Sequence, residues 1–150
     1  MKKFVFTLRA LLHVRQLVEK QERHHMLQLT REIHELEDER TRMSDSRDGA
    51  ARALSGRMGR GVAVTEAQQV AGYLVRMTQE IKAQEERIRC ANVELEQCRA
   101  RLVEVLKDIN MLEKVREKQY QLYLADVQKE EDKLIGDFVS FQTTSQRPAL

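Results

Sequence analysis

An aliphatic side chain returns at every seventh position from Leu74 through Ile81, Ile88, Leu95 and Leu102 to Ile109. A second line runs beside it through Val70, Met77, Gln84, Ala91, Cys98, Val105 and Leu112. Alternating steps of three and four residues put both lines on one narrow strip of an α-helix, which is the seam of a coiled coil. A strip that narrow encloses nothing by itself. It must lie against another helix.

The rest of the chain leaves room for little else. Of 150 residues, only six are Gly and one is Pro (Pro148). A sheet of this size needs turn residues between its strands, and a thick globular core needs more than 5% aromatics beside 33% charged residues. Half the glycines fall in Ser55-Gly56-Arg57-Met58-Gly59-Arg60-Gly61, the one strong breaker. Thr7 is positioned to cap a first helix and Thr65 a second, with Glu66 where the helix dipole favours an acid. The expected fold is all-α, an antiparallel two-helix coiled-coil hairpin with a longer C-terminal helix. It forms a single unit over 1–150, with helix 1 at about 7–54, the turn at about 55–64, helix 2 at about 65–141 and a frayed tail at 142–150.

The first helix carries the weaker seam. One line reads Leu8, Arg15, Glu22, Leu29, Leu36, Met43 and Ala50. Its companion, Leu11, Val18, His25, Glu32, Glu39, Ser46 and Ala53, is half polar, while Leu12, Met26 and Ile33 lie one step over and can share the seam. Past Leu112 the second helix is expected to slip register, with Tyr123, Val127, Leu134, Phe138 and Phe141 following an inserted four-residue stutter. The lengths also disagree. At 1.5 Å per residue helix 1 spans ~72 Å and helix 2 ~115 Å. Folded at the glycine turn, Thr7 comes level with roughly residue 112 and leaves about 113–141 unpaired. That stretch holds Val115, Tyr120, Tyr123, Leu124, Val127, Leu134, Ile135, Phe138 and Phe141. Keeping them wet forfeits on the order of 10–25 kcal/mol as an upper bound. Insertion into another protein, a fold-back near Tyr120 and a dimer there are the three ways to cover them.

Charge selects no partner. The chain is net +2, with 26 basic and 24 acidic residues. Their signs interleave as on a solvated helix face and form no nucleic-acid stripe. No apolar run approaches the roughly 20 residues of a membrane span. Arg9 and Arg15 break up any apolar signal segment, and Cys90 and Cys98 form no disulfide framework. These features point to the cytoplasm, without insertion into a membrane.

Catalytic chemistry is not expected, nor a cofactor or a metal. Gly56, Gly59 and Gly61 lack the preceding strand and the Lys-Ser/Thr pair of a phosphate loop. His24, His25 and His34 lack further ligands at a fitting spacing, and a two-helix rod offers no concave pocket. Around the turn, Arg47, Arg52, Arg57 and Arg60 face a single Asp48, a basic tip that could meet an acidic protein surface or a nucleic acid.

Four segments carry a family likeness. Phe4-x-Phe6-x-Leu8-x-x-Leu11-Leu12-x-x-Arg15-x-x-x-Glu19 resembles the opening of the flagellar export protein FliJ family. The likeness recurs at Met58-Gly59-Arg60-Gly61-Val62 leading into Gln69-x-x-x-Tyr73-Leu74. It recurs again at Leu112-Glu113-Lys114-x-Arg116-Glu117-Lys118-x-Tyr120 and at Glu131-Asp132-Lys133-Leu134-Ile135-x-Asp137-Phe138. Non-flagellar type III secretion stalk proteins are similar. The resemblance implies a stalk that inserts the end bearing both termini into the hexameric flagellar export ATPase and promotes its assembly and hydrolysis. It also implies contacts with the cytoplasmic domain of the export gate membrane protein and with export chaperones, at the cytoplasmic face of the inner membrane. By the same resemblance Phe4, Phe6, Leu8, Tyr120, Tyr123, Leu134 and Phe138 face the ATPase. Met43, Ser46, Ala50, Tyr73 and Met77 face the gate.

The mechanism so implied is mechanical: a stalk seated off-symmetry in a six-fold ring contacts each subunit differently and biases which one closes on ATP. The chain alone is then a monomer. Two other classes remain open on the residues, a self-assembling structural coiled coil through 113–141 and a nucleic-acid-binding arm using the tip arginines.

Overall fold

The computed structural model describes residues 3–145. Two helices account for nearly all of them, α1 (Arg9–Met58) and α2 (Val64–Ser145), packed antiparallel against each other in an all-α hairpin. The chain divides into two compact units, one joining Met1–Glu19 to Glu104–Leu150 and the other comprising Lys20–Val103.

In the Lys20–Val103 unit, α1 runs through Ser55 and Gly56 to Met58, beyond the end expected at 54. A lone glycine costs a helix only about 1 kcal/mol, which the neighbouring turns absorb. The turn proper is 59–63, and its one left-handed residue is Gly61 at φ 85°. The Arg60 and Gly61 amides donate to the Arg57 and Met58 carbonyls at 2.9 and 3.5 Å, satisfying acceptors at the helix end. Arg57 in the last turn of α1 pairs with Glu66 in the first turn of α2. Thr65 is not the cap of α2. The helix opens at Val64, and the Ala67 amide bonds back to the Ala63 carbonyl at 3.0 Å.

The core of this unit is Leu29, Ile33, Ala91, Leu95 and Cys98, with Met26 and Leu36 against it. The α2 seam matches the heptad reading at every position, each member from Val70 to Leu112 being buried or half-buried. On α1 the companion line is the one that starts a step over: Leu12, Met26 and Ile33 face inward, whereas Leu11 and Glu32 are exposed. A step of four from Leu8 reaches Leu12 and a step of three reaches Leu11; burial takes the line with more aliphatics. No residue from 34 to 80 is fully buried, because small side chains such as Ser46 and Ala50 cannot fill the space between the helices there.

The other unit has a separate core of Phe6, Leu12, Val105 and Ile109, with Phe4, Val18 and Leu112 packed on it. Residues 3–6 are non-helical and lie along α2. Thr7 does not cap α1: the helix opens at Arg9, whose amide reaches the Phe6 carbonyl at 3.3 Å, and the Thr7 hydroxyl instead accepts from the Gln119 amide at 3.3 Å. No stutter is needed to reach Tyr123. It stands two heptads after Ile109, and half-buried Gln119 stands one heptad after Leu112; the slip comes after it, at half-buried Val127, four residues on where the seam calls for three. The helix neither breaks nor folds back near Tyr120, and it runs on to Ser145. Residues 142–145, expected in the frayed tail, continue it, with the Thr144 and Ser145 hydroxyls donating to the Ser140 and Phe141 carbonyls. The remainder of that expected tail, 146–150 with Pro148, lies outside the described residues.

Candidate docking site

Phe4 bridges the two tyrosines of α2, with ring centroids 5.2 Å from Tyr120, edge to face, and 5.6 Å from Tyr123. Tyr120 and Tyr123 stack at 6.3 Å. Such offset contacts are worth about 0.5–1.5 kcal/mol each beyond the area they bury. They hold the non-helical start of the chain to the helix, together with Phe6, which is sunk in the core among Leu12, Val105 and Ile109. Of the seven residues assigned to an ATPase contact, the structure therefore gathers Phe4, Tyr120 and Tyr123 into one cluster and commits Phe6 to the interior. Leu8 is partly exposed.

Leu134 and Phe138 are placed differently. They belong to a stripe on α2, Tyr120, Leu124, Val127, Glu131, Leu134, Phe138 and Phe141, whose steps of four and three repeat without a slip and which is exposed except at half-buried Val127. Ile135 and Val139 widen it. Leu134, Phe138 and Phe141 are 63–70% exposed, as few large apolar side chains are on a soluble surface. Among the described residues nothing else in this unit covers the stripe past Val127. Its apolar members were legible from the sequence, and so was their lack of a partner helix. Met111 and Leu122, also exposed, belong to neither line and were not singled out.

In the Lys20–Val103 unit, the residues assigned to the gate do not form an exposed apolar patch. Met43, Ala50, Tyr73 and Met77 are half-buried along the loosely packed part of the seam, and only Ser46 is exposed. The tip arginines are partly spent: Arg47 meets Asp48 at 3.1 Å and Arg57 meets Glu66, leaving Arg52 and Arg60 exposed. A shallow depression beside the turn is lined by Met58, Val62, Val64, Ala67, Gln68 and Ala71.

Two polar constellations in the same unit were not anticipated. Gln84 occupies a seam position and is almost fully buried; its amide donates to the Leu36 carbonyl at 3.2 Å and to the Glu39 carboxylate at 3.0 Å. Cys98 is wholly buried, its thiol 3.3 Å from the Glu22 carboxylate, which also accepts from the Arg101 guanidinium at 3.2 Å. Burial, then the neighbouring carboxylate, pushes the Cys98 thiol up from its ordinary range. The thiol hydrogen bond, helped by Arg101, holds the Glu22 carboxyl below its own. These are packing devices in an interior, with no cleft beside them. His25 meets Glu94 at 3.3 Å and His34 meets Glu37 at 3.8 Å. Among the described residues no three His, Cys, Asp or Glu side chains converge as a metal site would require, and no helix is long and apolar enough to cross a membrane.

No curated protein and no solved structure matches this chain. The family model described as flagellar FliJ protein matches residues 4–147, almost the whole length. That span contains the aromatic cluster, both helices, the glycine turn and the exposed stripe, and the chain belongs to the flagellar FliJ protein family.

Proposed function

We propose that this export-related coiled-coil protein of the flagellum is a stalk. It inserts the end carrying Phe4 and the α2 stripe into the central opening of the hexameric flagellar export ATPase, promotes ring assembly and hydrolysis, and links the ring to the export gate and to export chaperones. It works without covalent chemistry of its own, at the cytoplasmic face of the inner membrane.

The observation that carries this reading is the α2 stripe: a continuous helix bearing Leu134, Ile135, Phe138, Val139 and Phe141 largely in water. Those side chains repay burial at about 1.5–3 kcal/mol each when a partner closes around the helix. The aromatic cluster supports it from below by fixing where the stripe begins. The gate contact draws on a different feature, the loosely packed seam around Met43, Ala50, Tyr73 and Met77, where half-buried side chains are available to a partner at little cost to the core.

The test is hydrolysis by a purified flagellar export ATPase, titrated with the full chain and with Phe138→Ala and Leu134→Ala variants. The stalk reading expects each substitution to weaken half-maximal stimulation at least tenfold while leaving helicity and melting unchanged. Undiminished stimulation by both variants would falsify the placement of the contact.

A further inference from the structure

The α2 stripe is apolar at every position from Tyr120 to Phe141 but one. Glu131 stands in its middle, one turn from Val127 on one side and from Leu134 on the other, and it is exposed. The acids beside it each have a lysine at a spacing where side chains meet: Lys133 lies three residues after Glu130 and four before Asp137, and Lys129, which pairs with Asp126 at 3.8 Å, lies three before Asp132. Glu131 has no such neighbour. The positions three and four away from it are Val127, Gln128, Leu134 and Ile135.

A partner that covers this stripe must therefore strip water from a carboxylate that the helix itself does not neutralise. An unpaired charge closed into an apolar contact is expensive unless the other side brings a counter-charge. A second copy of the chain cannot supply it. Flanking the stripe are Gln121, Gln128, Ile135 and Gln142 on one side and Tyr123, Glu130 and Asp137 on the other. Self-pairing through this stripe, parallel or antiparallel, would bring Glu131 no lysine or arginine from these positions. An anionic lipid surface fits no better, since residues 126–141 carry five acids and two lysines.

We infer that the surface which closes over the α2 stripe is an apolar protein surface bearing a lysine or arginine opposite Glu131, and that this ion pair sets the axial position at which the helix seats. The inference rests on the stalk reading, which names the occupant as the export ATPase, and goes past it in assigning the chemistry of the contact. The pair does little for gross affinity beyond avoiding a buried, unpaired charge; it discriminates against helices that slide by a turn, because any slide leaves Glu131 against an apolar wall.

The experiment measures binding of the full chain to the export ATPase between low and high salt, for the wild type and for Glu131→Gln, Glu131→Lys, Asp132→Asn and Phe138→Ala. The expected result is a several-fold loss for Glu131→Gln with a shallower salt dependence, and a loss of at least a hundredfold for Glu131→Lys. Asp132→Asn, which removes an equal charge from a position off the stripe, stays within twofold. Circular dichroism confirms equal helicity. If Glu131→Gln binds as tightly as wild type while Phe138→Ala fails, the stripe is the contact but faces no cation, and the inference is overturned alone. If Phe138→Ala binds normally, the stalk reading falls and takes the inference with it. Concentration-dependent dimerisation through the stripe would overturn both.

Discussion

At the scale of single residues, two buried polar groups govern the Lys20–Val103 unit. Gln84 sits where an aliphatic residue would pack better, and its bonds to Leu36 and Glu39 exist only in one register of α1 against α2. Gln84→Leu is expected to raise the melting temperature by a few degrees while loosening register, seen as a broader distance distribution between spin labels at Thr41 and Glu80. Cys98 and Glu22 give the unit a two-sided pH dependence. The Glu22 carboxyl is held low in the fold, so the unfolded chain binds the extra proton first and stability falls as pH drops through the ordinary carboxylate range, about 4. The Cys98 thiol is held high, so the unfolded chain releases its proton first and stability falls as pH rises past the ordinary thiol value, about 8.5. Cys98→Ala should flatten the alkaline side of the melting profile and weaken the acid side too, leaving there only what Arg101 contributes to Glu22. Gln84 and Cys98 were both visible as seam residues in the sequence. Their partners were not, because a heptad pattern fixes which face a side chain occupies and says nothing of which carbonyl or carboxylate on the facing helix comes level with it.

At the scale of the helices, α2 was almost fully legible and α1 was not. Thirteen seam positions of α2 from Val70 to Leu112 are covered as the periodicity required. In α1, Leu8, Leu11 and Leu12 offered two companion lines, and only packing against Val105 and Ile109 selects Leu12. The ends were misjudged for one reason at both helices. Thr7 and Thr65 have good capping chemistry, but backbone carbonyls a residue or two away already anchor the first turn. Burial is also uneven along the pair. Leu29→Ala or Leu95→Ala should cost about 2–5 kcal/mol, whereas Leu54→Ala, half-buried beside the turn, should cost about half as much or less. Hydrogen exchange checks the same gradient: amides of 43–77 are expected to exchange well before those of 26–36 and 88–102.

At the scale of the whole chain, the division into two units matters because each has its own core, Leu29-Ile33-Leu95-Cys98 in one and Phe6-Leu12-Val105-Ile109 in the other. The exposed stripe belongs to the second, and Glu131 leaves it unsuited to self-pairing. Sedimentation velocity over a hundredfold concentration range is therefore expected to show a monomer. The sequence announced the apolar surplus beyond Leu112 and left three ways of covering it open. The fold-back is excluded by the unbroken helix. The unpaired acid, which argues against the dimer, is evident only once the stripe is known to start at Tyr120 and Leu124, beside Tyr123 and not in line with it.

That distinction makes α2 an angular gauge. Its inner seam passes through Ile109 and Tyr123 and its outer stripe through Tyr120, Leu124 and Val127, one position round, which is about 100° of azimuth on a helix of 3.6 residues per turn. A partner gripping the stripe is thereby told in which direction α1 lies. Inserting one alanine after Gln128 would rotate Leu134, Phe138 and Phe141 by about 100° while every contact of Phe4 and Tyr123 stayed in place. Inserting seven would restore their bearing to within about 20° and displace them by about 10.5 Å. If bearing matters, the single insertion abolishes ATPase stimulation and the longer one retains part of it; equal losses would mean that only axial distance is read.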